Sequence, residues 1–132
     1  MYTIGSDPEF FVIKGQYYTI PAFEIIAASK DKPANLKNGY KVFHDNVTVE
    51  GNIPPAKSKE EFITNMRTIK VKINKLLSPF NCRILESSSE TFSAKQLEDK
   101  RANEFGCMPY MNAWTFQEEI PAEITNIYRT AG

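Results

Sequence analysis

A capped helical stripe is the feature that most constrains how this chain folds. Ser58 and Glu61 match a capping box, in which each side chain satisfies a free backbone N–H of the first helical turn. Apolar side chains then recur with the period of one helix face. They are Phe62, Met66, Ile69, Ile73 and Leu76. The Ser-Pro pair at 78–79 ends the pattern, because the residue before a proline disfavours helical geometry. The pattern predicts a long helix at about 58–77.

The residues before this helix favour strands. Residues 10–13 and 17–20 flank a turn at Gly15 and predict a hairpin, and residues 2–4 predict another short strand. Residues 43–53 alternate as one continuous strand, in which Asp45 breaks the apolar face near the start. Further predictions are a short helix at 22–29, a loop at 30–39, a strand at 80–85, a second, shorter helix at 93–103 and a strand at 120–130. Strands before a long helix and mixed structure after it indicate the α+β class.

Length and charge set the broad class. A chain of 132 residues favours a single domain at 1–132. With 16 basic and 16 acidic residues its net charge is zero, which argues against a nucleic-acid or anionic-membrane partner. The basic residues crowded into 57–75 are more typical of the solvated face of a helix. No apolar run reaches the ~20 residues of a membrane span. Two distant cysteines, Cys82 and Cys107, and the lack of a signal-peptide pattern favour a cytoplasmic protein.

Two pairs of polar residues lie within strand-like apolar runs, where a carboxylate is costly without a partner. Asp7 and Glu9 are two residues apart and point to one side of a strand, and Glu50 and Asn52 repeat that spacing on a second strand. Two carboxylates on one face repel each other unless a cation or a proton lies between them. Hard divalent ions such as Mg²⁺ prefer oxygen ligands of this kind. The four residues therefore predict a shared divalent-cation site.

Plainer interpretations stay open for each of these residues. Asp7 and Glu9 also suit a turn with a backbone cap and a solvated side chain, and the polar row on residues 46–52 also suits the solvated face of an antiparallel sheet. His44 is the only histidine, so no zinc site of standard ligand spacing exists. A surface or hydrogen-bonded role suits it better than a catalytic one.

Several motifs in order along the chain resemble the type-2 carboxylate–amine ligase family, whose members are often phage-encoded and belong to the glutamine-synthetase-like amidoligases. The motifs are Gly-Ser-Asp-Pro-Glu-Phe-Phe at 5–11, Asp-Asn-Val at 45–47 with Glu50, Asn-Ile-Pro-Pro-Ala at 52–56, Phe-Gly-Cys at 105–107, Asn-Ala-Trp-Thr at 112–115 and Arg-Thr-Ala-Gly at 129–132.

The resemblance implies both a fold and an activity. The fold is an open half-barrel of antiparallel strands with helices packed outside. The activity is ATP-dependent joining of a carboxylate to an amine through an acyl phosphate, with Mg²⁺ on the concave face. Glu9 and Glu50 match the two metal-binding acids of the family, and Asp7 and Asn52 are expected to be supporting ligands. Arg129 is expected to lie near phosphate as a catalytic residue.

The chain departs from the family pattern in three places. The family continues after Arg-x-Ala-Gly with Gly-His-Ile-His and a second half, whereas this sequence ends at Gly132. The segment at 23–28 lacks the glycines usual there, and Met108 and Tyr110 stand where acids are usual. The first hypothesis is therefore a truncated amidoligase that has no ATP turnover alone and is active only together with a missing C-terminal part or a separate chain.

Two other hypotheses compete with it. One is a non-enzymatic phage protein of the host cytoplasm that reuses the scaffold to bind and inhibit or redirect a host protein, and the other is a plain nucleotide or metal binder. Residues 110–128 are rich in aromatic and aliphatic side chains, Trp114 among them. An incomplete barrel exposes a strand edge and an apolar face, which recruit partners. We therefore expect self-association, or binding of another protein, through residues 110–128.

Overall fold

The computed structural model describes residues 2–104. Within them, six strands form one sheet in which every pair of named strands is antiparallel, and one long helix packs on it. The elements are β1 (Glu9–Lys14), β2 (Tyr18–Ile20), β3 (Ala34–Asn35), β4 (Lys41–Asp45), β5 (Thr48–Asn52), α1 (Lys59–Leu77), β6 (Cys82–Leu85) and α2 (Ala94–Leu97). The predicted α+β class and antiparallel sheet are confirmed at this level.

The strand order places β1 at the centre of the sheet. The order is β2-β1-β5-β4-β3, and β6 also pairs with β1. The first residues of β1 pair with β5, and its later residues pair with β2 and β6. Cross-strand partners share a face of the sheet. Phe10 and Val49 are such partners on the face toward α1, whereas Glu9 and Glu50 are partners on the opposite face.

Helix α1 confirms the predicted helix and its N-terminus. The Ser58 Oγ accepts a hydrogen bond from the Glu61 N–H at 3.1 Å. The predicted capping box is only half formed, because the Glu61 carboxylate accepts instead from the Lys57 N–H at 2.6 Å. Leu77 completes the buried stripe, while Leu76 is 37% exposed. The buried stripe therefore ends at Leu77, one residue beyond the Leu76 that the sequence pattern predicted as its last member.

The apolar core lies between α1 and the sheet. It includes Val12, Ile20, Val42, Val49, Ile69, Ile73 and Leu77. Gly51 on β5 allows the close approach of α1, because a Cβ there would lie 2.5 Å from Ile69 Cγ1. One buried polar network crosses the interface: the Tyr40 hydroxyl donates to Asn65 Oδ1 at 3.0 Å, and Asn65 Nδ2 donates to the Pro54 carbonyl at 3.1 Å. All three groups are thereby satisfied.

Several sequence predictions are corrected by the structure. Residues 43–53 are not one strand, because β4 and β5 form a hairpin that turns at residues 46–47. The predicted helix at 22–29 is a single 3-10 turn, Ala22–Glu24. The predicted helix at 93–103 is divided at Asp99 into α2 and a 3-10 turn, Lys100–Asn103. Residues 2–4 contribute one isolated bridge, from Ile4 to Ala56.

The loop predicted at 30–39 contains the two-residue strand β3 and a 3-10 turn, Lys37–Gly39. The hairpin of β1 and β2, and strand β6, agree with the sequence predictions. Cys82 is a buried free thiol on β6. The strand predicted at 120–130 lies outside the described residues. Among the helices within residues 2–104, none combines the length and the apolar character that crossing a membrane requires.

Candidate metal centre

Two acidic residues face each other across the centre of the sheet. Glu9 on β1 and Glu50 on β5 are direct cross-strand partners, so their side chains leave the same face of the sheet. The Pro8 carbonyl accepts from the Gly51 N–H at 3.0 Å and continues the pairing before β1 begins. The register therefore fixes the two carboxylates as neighbours.

A third carboxylate reaches this face through the β4–β5 hairpin. Asn46 adopts a left-handed conformation with φ of 54°, which asparagine tolerates better than most residues. The sharp turn pairs Asp45 with Thr48, two residues from Glu50 along β5. Asp45 thus lies on the same face as the two glutamates.

The three carboxylates form a compact group of oxygen ligands. One ligand oxygen from each of Glu9, Asp45 and Glu50 lies within 4.8 Å of the other two. Ligands of an octahedral Mg²⁺ at about 2.1 Å lie up to about 4.2 Å apart, and those of Ca²⁺ at about 2.4 Å lie up to about 4.8 Å apart. Three carboxylate oxygens within this limit suit the coordination of one hard divalent ion.

Burial makes the charge of this group costly. Glu50 is only 4% exposed. Its burial, followed by repulsion from Glu9, raises the pKa of Glu50 from 4.5 to about 7, and Asp45 adds to the rise. The ammonium of Lys30 acts in the opposite direction. Near neutral pH, Glu50 is therefore partly protonated and partly ionised.

Neighbouring polar groups compensate part of that charge. The Thr48 hydroxyl lies 3.0 Å from Glu9 Oε2 and 2.8 Å from the Asp45 carbonyl oxygen, and its single proton is shared between these two acceptors. Lys30 Nζ lies 3.4 Å from Asp45 Oδ2. The Asp45 carboxyl group, as a neighbouring charge and as a hydrogen-bond partner of protonated Glu50, adds to the rise in the pKa of Glu50.

The residues that the sequence predicted for the site do not all lie in the group of three carboxylates. Glu9 and Glu50 are brought together. Asp7 is exposed and is not one of the three grouped carboxylates. Asn52 lies further along β5, opposite Lys41. Arg129 and the proposed interaction region at 110–128 lie outside the described residues, so their roles stay predictions.

Sequence reasoning missed Asp45 as a site residue because it treated residues 43–53 as one strand. In a continuous strand, Asp45 and Glu50 point to opposite faces. The signal that was available is the Asp-Asn pair at 45–46, since both residues are common in tight turns. A hairpin at that pair places Asp45 on the face of Glu50.

His44 has a structural position. Its Nδ1 lies 2.8 Å from the Ile26 carbonyl oxygen, and its ring meets Phe23 edge-on with centroids 6.2 Å apart. Because a carbonyl oxygen only accepts, Nδ1 carries the proton and donates. The ring therefore attaches the segment after β2 to β4.

Comparison with family models, curated proteins and solved structures gives no match for this chain.

Proposed function

We propose that this protein binds a divalent metal ion through Glu9, Asp45 and Glu50, and that this ion belongs to a carboxylate–amine ligase type of site. The observation that carries the proposal is the grouping of three carboxylates within 4.8 Å, with the buried Glu50 among them. A buried carboxylate that faces two others needs a positive charge or a proton to be stable. A divalent ion supplies that charge and leaves all three residues ionised.

The ligase part of the proposal rests on the motifs in the sequence. The motif at 5–11 contributes Glu9, and the motif at 45–50 contributes both Asp45 and Glu50. The two motifs therefore supply all three grouped acids. A divalent ion bound there would offset the negative charge of ATP phosphates.

The direct test is a calorimetric titration of the purified chain with Mn²⁺ and with Mg²⁺. Wild type is compared with Glu50→Gln, Asp45→Asn and Asp7→Asn. We expect Glu50→Gln and Asp45→Asn to weaken binding by about tenfold or more, because each removes a charged ligand. Asp7→Asn is the matched control and should bind like wild type, since Asp7 lies outside the group. Equal affinity of all four proteins, or no binding by wild type, would refute the proposed site.

A second titration separates a nucleotide-using site from a plain metal site. ATP is titrated into wild type and Glu50→Gln with and without Mg²⁺. The ligase type of site predicts ATP binding that requires Mg²⁺ and is weakened by Glu50→Gln. Metal binding without ATP binding would retain the metal site and exclude the nucleotide function.

A further inference from the structure

Lys30 occupies a fixed position beside the acidic group. The turn that carries it is closed by two backbone hydrogen bonds between Ser29 and Lys32, at 3.0 and 3.3 Å. Ser29 also forms a bridge with His44, and the His44 N–H donates to the Ala28 carbonyl at 2.8 Å. The turn is thus attached to β4 at the residue before Asp45.

The ammonium of Lys30 is already paired with a member of the group. Its Nζ lies 3.4 Å from Asp45 Oδ2, and the two side chains are 48% and 15% exposed. The lysine therefore approaches from the solvent side toward a carboxylate that is mostly buried. Its charge also stabilises the ionised form of Glu50 and so opposes the rise in the pKa of that residue.

We propose that Lys30 is the internal counter-ion of the acidic group and competes with the divalent ion, so that it sets the affinity of the metal centre. This inference rests on the proposed function. Both cations need the Asp45 carboxylate. A divalent ion and an ammonium about 5 Å apart repel each other strongly enough, even in the dielectric of water, to change an affinity by about tenfold. A bound divalent ion therefore displaces the Lys30 ammonium from Asp45.

The test removes the charge of Lys30 and keeps most of the length of its side chain. Lys30→Met and the matched control Lys32→Met remove the same charge from the same turn, but no contact joins the exposed Lys32 to the acidic group within the described residues. Mn²⁺ is titrated calorimetrically at low ionic strength, where the effect of surface charge is largest. We expect Lys30→Met to bind Mn²⁺ about tenfold more tightly than wild type, and Lys32→Met to change affinity by less than about twofold.

A readout without metal tests the counter-ion role itself. Urea denaturation is measured for wild type, Lys30→Met, Asp45→Asn and the double variant in the presence of a chelator. Lys30→Met should lower the denaturation midpoint in the wild-type background and lower it clearly less in the Asp45→Asn background. An equal effect of Lys30→Met in both backgrounds would contradict the pairing.

The outcomes separate this inference from the function on which it rests. If wild type binds Mn²⁺ and Lys30→Met binds it equally or more weakly, the inference fails and the proposed function stands. If Lys30→Met binds Mn²⁺ but wild type does not, the inference holds and the proposed function fails for the native chain. If neither protein binds Mn²⁺, the metal function and the competition both fail.

Discussion

The two faces of strand β5 show opposite ways of stabilising the same short segment. Val49 and Gly51 face helix α1, where Val49 is fully buried and Gly51 leaves only enough space for Ile69. Thr48 and Glu50 face the other way, toward Glu9 and Asp45. One face is stabilised by close packing of apolar atoms, and the other by a balance of charges.

This difference determines which conditions affect each face. Close packing depends on volume, so a change of one or two carbon atoms is costly at any pH. A group of carboxylates depends on protons, ions and counter-ions, so its contribution to stability changes with the solvent. The helix face therefore fixes the fold, whereas the acidic face can respond to a ligand.

The largest expected effect is on the helix face. Ile69→Ala removes a fully buried side chain from the centre of the core and should lower the free energy of unfolding by about 4 kcal/mol. Equilibrium denaturation in urea measures this change. Val71→Ala, at an exposed position of the same helix, is the control and should cost less than about 1 kcal/mol.

Gly51→Ala tests the same contact from the side of the sheet. The new Cβ would lie 2.5 Å from Ile69 Cγ1 and should destabilise the protein by about 1–3 kcal/mol. In the Ile69→Ala background that cost should largely disappear, because the obstructing atoms are gone. Strictly additive effects of the two substitutions would show that Ile69 is not the constraint.

The second effect concerns the acidic face and depends on pH. The pKa of Glu50 is raised from 4.5 to about 7, so the folded state holds a proton that the unfolded state releases. Its contribution to stability is complete below pH 4.5 and is lost as the pH rises through about 7. Glutamine does not ionise, so Glu50→Gln keeps this contribution at high pH. The variant should be more stable than wild type at about pH 8, by up to about 3 kcal/mol.

Denaturation in urea at about pH 5 and about pH 8 measures that difference. The gain from Glu50→Gln should be larger at the higher pH. The exposed Glu98 provides the control, since Glu98→Gln should follow the wild-type pH dependence. A gain that does not grow between the two pH values would contradict the charge balance proposed for this face.

A smaller effect is expected where a polar group crosses the apolar face. Asn65→Ala leaves the Tyr40 hydroxyl and the Pro54 carbonyl without their partner, and should cost about 2 kcal/mol. Thermal denaturation can measure it, with Thr64→Ala at an exposed position as the control. A neutral Asn65→Ala would mean that water replaces both hydrogen bonds.

The smallest effect is expected at the start of α1. Ser58→Ala removes the acceptor for the Glu61 N–H and should cost about 1 kcal/mol. Ser58→Asp keeps an acceptor and should restore the stability. Equal losses for both variants, measured by urea denaturation, would show that the cap contributes little.

The helix face was largely predictable from local sequence. Ser58 and the apolar stripe that follows it specify the beginning, length and buried side of α1, since capping and periodicity act within a few residues. The sequence pattern assigned Leu76 to the buried stripe, whereas Leu77 is the buried residue. This error shifts one position along the helix and leaves the prediction of the helix itself correct.

The acidic face was predictable only in part. Glu9 and Glu50 were recognised as costly in apolar runs, and the structure does place them opposite each other. Asp45 was missed, and Asp7 stays a predicted supporting ligand that is not one of the three grouped carboxylates. The omission of Asp45 follows from local geometry, because one residue in a left-handed conformation, Asn46, reverses the chain and changes which neighbours share a face.

The sequence by itself determined the α+β class, the long capped helix and the presence of acidic residues within strand-forming runs, because propensity, capping and alternation are properties of adjacent residues. Only the tertiary structure decided that Glu9, Asp45 and Glu50 meet, that Gly51 accommodates Ile69 and that Lys30 lies beside Asp45. These contacts join residues far apart in the chain. Their register depends on the packing of the sheet against α1, which no single segment encodes.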